Sequence, residues 1–165
     1  MTKAAIVSVV LLIAAAPFGA HAAGGSYGGS GSYGSSPTEP RERKTDMQKA
    51  DERLGRENYK GAVKYLKRRL KEAPEDADAW NLMGFAHRKM KDYEAAEDYY
   101  GRALELNPHH KGALEYRGEL YLETDRPEEA RAALRALETL CPAGCSELDD
   151  MRAAFARMGV AEIGG

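Results

Sequence analysis

Residues 43–142 contain no serine, so no Ser-His-Asp arrangement can be built within them. Charge of one sign is also missing. Lys and Arg number 24 against 26 Asp and Glu, for a net charge of −2, and no basic field points to nucleic acid or anionic lipid. No apolar run is long enough for a comfortable membrane span. The run Ala4 to Ala16 falls short of the roughly 20 residues such a helix takes, and Pro17 and Gly19 interrupt any continuation of it. Metal-ligand patterns are equally sparse. His109 and His110 are adjacent, but neither has an Asp, Cys or His at helical i+4 spacing, and His87 reads as a packing residue. These absences argue against an enzyme, a nucleic-acid binder and a metal centre, and no cofactor is expected.

The amino-terminal segment is a separate device. Lys3 supplies a short positive region, Ala4 to Ala16 an apolar stretch, and Ala20-His21-Ala22 a small-residue cleavage pattern. Residues 1–22 are therefore expected to be a cleaved secretory signal. The destination would be the periplasm, with secretion as the alternative, and no stable membrane anchor would remain after cleavage. Residues 23–42 are rich in Gly, Ser and Tyr and have no apolar period with which to offset the entropy of ordering. They read as a flexible linker. Gly29, Gly31 and Gly34 satisfy G-x-G-x-x-G, but the dinucleotide reading needs a preceding strand and a following helix, and neither is indicated.

From residue 43 onward the chain repeats itself. Pro74, Pro108 and Pro142 are spaced by 34 residues (108 − 74 and 142 − 108), as are Ala62, Ala96 and Ala130. Small residues at 50, 84 and 118 and bulky ones at 66, 100 and 134 keep the same period. Four registers agreeing at one period define repeats over 43–76, 77–110 and 111–142. The first is the most divergent, with Asp46 where Trp80 stands and Lys49 where Met83 stands.

The stretch Ala77 to Pro108 carries Trp80, Met83, Gly84, His87, Ala96, Tyr100 and Pro108 at the positions of the W-x2-L-G-x2-Y…A-x3-F…P pattern. It resembles a tetratricopeptide repeat, whose unit is a helical hairpin of 34 residues. The resemblance implies an all-α fold, an αα-hairpin solenoid of three repeats. Within the first unit, helices are expected over about 46–56 and 60–72, with Asp76 capping the first helix of the second unit. Gly84 and Ala96 would let the paired helices cross closely. Residues 143–165 do not begin a full fourth repeat. Ser146 with Asp149 suggests a helix start, and Leu148, Met151, Phe155 and Met158 fall at helical spacing, as a helix capping the exposed end of the solenoid would require.

Function is implied by the same resemblance. It points to a non-catalytic adaptor or scaffold that holds another protein of the cell envelope in a concave groove lined by the first helix of each repeat. Mapped onto this chain, the groove takes Met47, Asp51 and Leu54 from the first repeat. The second gives Asn81, Phe85, Arg88 and Lys89, and the third Glu115, Glu119, Leu122 and Glu123. Chaperone-binding members hold a peptide carboxylate with a basic clamp; Glu115 and Glu119 occupy that region here, which disfavours an acidic carboxyl-terminal tail as ligand. The groove is expected to run from mixed, through cationic at Arg88 and Lys89, to anionic. Cys141 and Cys145 form C-x3-C across Pro142 and Gly144. In an exported chain the pair reads as a structural disulfide, and a thiol-redox or copper-handling protein built on it is the alternative function.

Overall fold

The computed structural model describes residues 44–162, so the expected signal and linker lie outside the described residues. Among the described residues seven helices follow one another: α1 (Asp46–Leu54), α2 (Tyr59–Glu72), α3 (Ala77–Lys89), α4 (Tyr93–Leu106), α5 (Lys111–Glu123), α6 (Pro127–Leu140) and α7 (Ser146–Met158). No strand occurs among the described residues. The fold is all-α: α1/α2, α3/α4 and α5/α6 form three stacked hairpins, and α7 closes the array against α5 and α6.

The period of 34 is written into the backbone as well as the side chains. In each hairpin turn a non-glycine residue takes the left-handed conformation: Glu57 at φ 56°, Lys91 at φ 62° and Asp125 at φ 57°. The next residue then returns an N–H to the first helix, from Asn58 to the Arg53 carbonyl, Asp92 to His87 and Arg126 to Tyr121. Between hairpins, Asp76 accepts the Ala79 N–H at 3.0 Å. His110, one period later, does the same for Ala113 through Nδ1 at 3.2 Å. Asn107 ends α4 ahead of Pro108, and Pro127 opens α6 with Glu128 and Glu129 in its first turn, where carboxylates face the positive end of the helix dipole.

The phase slips at α7. Its cap is Cys145, and Ser146 is the first helical residue, so the expected Ser146–Asp149 capping box does not form. Gly144 stands where Asp76 and His110 stood, at φ 92°, a backbone that only glycine adopts without strain. Cys141 and Cys145 face each other across this turn with Cα atoms 5.8 Å apart, within reach of a disulfide.

Packing requires close crossings. A Cβ built on Gly84 would lie 2.6 Å from Cδ1 of the fully buried Tyr100, so α3 and α4 meet where no larger residue fits. Core residues fall into two clusters. One gathers Ala50, Ala62, Leu66, Leu70, Ala79 and Met83 around α1–α3. The larger one joins Tyr100, Leu120, Leu134 and Leu137 to Leu148, Met151 and Phe155 of α7. Glu97 ties α4 to the third hairpin, accepting from Arg126 at 2.6 Å and from the Tyr121 hydroxyl at 3.1 Å. The Arg126 bonds hold its carboxyl below the usual range. In the first repeat, Asp46 accepts from Arg68 instead of burying an aromatic ring.

Candidate functional site

The first helices of the hairpins present one wall, and spacing puts the expected groove residues on shared stripes. Asn81, Phe85 and Arg88 follow i, i+4, i+7 along α3, as Glu115, Glu119 and Leu122 do along α5. The structure divides them sharply by burial. Asn81, Glu115 and Leu122 are buried, and Arg88 is only 2% exposed. Phe85, Glu119, Met47 and Leu54 are partly covered, whereas Asp51, Lys89 and Glu123 face solvent.

Arg88 is therefore not the open cation the sequence suggests. Its guanidinium donates to Glu119 and to Glu123, each at 2.6 Å, and lies 5.7–5.8 Å from the ring centroids of Phe85 and Tyr116. The reason is geometric: position 88 of α3 faces α5, and the acids there neutralise it. Of the expected cationic pair, only Lys89 remains exposed, with its ammonium 5.3 Å from the Phe85 centroid.

An aromatic strip crosses the wall. Phe85 lies 5.0 Å from Tyr116 and 6.4 Å, edge-on, from Tyr59. Both tyrosines escaped the sequence mapping, because Tyr59 opens a second helix and Tyr116 sits one place off the expected stripe. Residues of α7 were missed as well. Arg157 donates to Glu119 at 2.9 Å, and Glu147 and Asp150 bring further negative charge to Glu115. The capping helix thus extends the wall as well as sealing its end.

Glu115 stands out electrostatically. It is 7% exposed and forms no hydrogen bond or ion pair among the described residues. Burial, then the carboxylates of Glu119 and Asp150, push its carboxyl up to about 8, against an opposing pull from Arg88. Next to it, burial also raises the Tyr116 hydroxyl.

The remaining polar candidates are occupied locally. His87 meets Asp92 through Nδ1 at 2.8 Å and packs on Tyr99, and His110 caps α5. Trp80 donates to the Pro74 carbonyl and stacks on Tyr99. Cys141 is buried with Leu137 and Leu148, at the junction of α6 and α7.

Comparison with known proteins identifies the middle hairpin. The tetratricopeptide-repeat profile matches residues 77–110, the unit that holds Phe85, Arg88 and Lys89. Residues 77–110 form a tetratricopeptide repeat. Solved structures extend the likeness in fold to the flanking hairpins. The TPR2B domain of yeast Sti1 in complex with pHsp70 superposes with a TM-score of 0.63 at 19% identity, over 69% of this chain and 93% of that one. The TPR domain of Arabidopsis OM64 gives 0.62 at 18%, over 69% and 91%. The first TPR of Spaghetti (RPAP3), bound to the HSP90 peptide SRMEEVD, gives 0.60 at 18%, over 69% and 90%. No curated protein sequence matches this chain.

Proposed function

We propose that this chain is a tetratricopeptide-repeat protein acting as a non-catalytic adaptor of the cell envelope, exported to the periplasm, that holds a segment of a partner protein along the wall of α3, α5 and α7. The aromatic strip supports this reading best. Phe85 and Tyr116 are half-buried and 5.0 Å apart, an apolar anchor flanked by exposed Lys89 and Glu123. Aromatic groups in such central positions tend to dominate binding energy. Peptide binding by a protein of the same fold, the HSP90-peptide complex of RPAP3, is consistent with it.

Export rests on the sequence of residues 1–22, and in that compartment Cys141 and Cys145 would be oxidised. Intact-mass measurement after fractionation tests both: the expected species begins at about Ala23 and carries no free thiol. Retention of residues 1–22, or two titratable thiols, would return the chain to a tethered or redox-active reading. For the groove, a photo-crosslinking residue placed at Phe85 should capture envelope proteins. The same residue at Ala132, which lines a recess between α4, α5 and α6, should not. Equal capture at both positions moves the site off this wall.

A further inference from the structure

We infer that the partner segment held on this wall is basic, and that its Lys or Arg side chains are received by Glu115 and the acids beside it, next to the Phe85–Tyr116 strip. The inference rests on the groove reading and adds the chemistry of its ligand.

Charge complementarity carries it. Glu115, Glu119, Glu147 and Asp150 converge from α5 and α7, and two arginines answer them. Arg88 is consumed by Glu119 and Glu123, and Arg157 by Glu119. Glu115 receives no partner at all among the described residues. A carboxylate this deeply covered is costly to leave unpaired. Yet Glu115 is not wholly closed off, since 7% of its surface stays exposed. Anions crowd it from its own helix and from α7, and the pull of Arg88 on α3 is smaller than burial and the charges of Glu119 and Asp150, so it retains its proton near neutrality. A ligand guanidinium or ammonium would supply the missing counter-charge and let Glu115 ionise. Tyr116 adjoins it in sequence, and Phe85 lies against Tyr116, so a cation placed there also has aromatic surface beside it. An acidic segment such as SRMEEVD would instead meet like charge, which selects against it.

The experiment uses the full chain to select from a phage-displayed library of randomised peptides, then titrates the enriched peptides by calorimetry. Enriched sequences should carry net positive charge. Glu115→Gln, which keeps the shape and removes the ionisable group, should weaken them by about tenfold, the loss of one charge-assisted contact. Binding at neutral pH should also release a proton, so that the measured enthalpy differs between phosphate and Tris buffers, and Glu115→Gln should abolish that difference. Enrichment of neutral or acidic peptides, or basic peptides indifferent to Glu115→Gln, overturns the inference. Phe85→Ala separates the two readings. Acidic or apolar peptides lost on Phe85→Ala would leave the groove in place and refute only its charge preference. Peptides unaffected by Phe85→Ala, or no enrichment, would refute the groove as well.

Discussion

At the scale of single residues, three glycines in equivalent helical surroundings should answer differently to the same substitution. Replacing glycine by alanine in a helix interior gains about 1 kcal/mol when nothing obstructs the methyl group. At Gly101 nothing lies within 4 Å of the new Cβ, so Gly101→Ala should raise the melting temperature. At Gly84 the methyl meets the ring of Tyr100, 2.6 Å away in a fully buried site, and Gly84→Ala should cost about 1–3 kcal/mol. At Gly118 the obstacle is the flexible end of Met151, with Sδ at 2.7 Å, which can turn aside, so the loss should be smaller than at Gly84. Thermal melts of the three variants rank them; Gly84→Ala melting above Gly118→Ala would mean that the α3–α4 crossing is not as tight as described. Glu115 yields a second prediction. Its folded value of about 8 lies above an unfolded value of about 4.3, so the folded protein binds the extra proton between them. Stability from this group is full below about pH 4 and is lost as pH rises through about 8. Glu115→Gln should therefore stabilise by about 1–3 kcal/mol at pH 9 and by little at pH 5. A pH-independent difference in melting temperature would contradict the unpaired, buried carboxyl.

At the scale of elements, the helices were legible where periodic packing residues and end signals agreed. Asp76, Asn107-Pro108 and Pro127 mark ends that the structure reproduces, because caps and prolines act through the local backbone. Charge pairing was not legible: that Arg88 faces Glu119 and Glu123 depends on how α3 and α5 cross, 31 and 35 residues apart in sequence. The role of α7 was half legible. Its apolar stripe announced a cap, but its second flank, with Glu147, Asp150 and Arg157, becomes part of the wall only once the helix leans on α5. That docking depends on Phe155, which is fully buried with Leu148 and Met151. Phe155→Ala should cost about 3–5 kcal/mol. Loss of α7 would uncover Glu115, so the pH-dependence that Glu115 confers should shrink in this variant. Retention of both stability and pH profile would show that α7 is dispensable to the wall.

At the scale of the molecule, the array is uneven, and its stability should be too. In solenoids each repeat is stabilised by itself and by its neighbours alone, so an end with a smaller core opens first. The cluster around α1–α3 contains six buried residues, two of them leucine and three alanine. The cluster from α4 to α7 contains fourteen and adds the large side chains Tyr100, Tyr121, Met151 and Phe155. The first hairpin has no neighbour among the described residues on its outer side, and α1 is the shortest helix, nine residues against thirteen or fourteen. Its Asp46 satisfies Arg68 at a position where the second repeat packs Trp80. Amide hydrogen exchange should therefore show α1 and α2 opening at a free energy below that of α5 to α7, with α3 intermediate, because partial unfolding tracks local burial. A peptide held at the Phe85–Tyr116 strip and Glu115 would contact mainly the more stable part, so binding should slow exchange in α3, α5 and α7 more than in α1. Uniform protection from α1 to α7 in the free protein would mean that the two clusters unfold as one unit. Protection on binding confined to α1 and α2 would place the partner at the labile end, away from the aromatic strip.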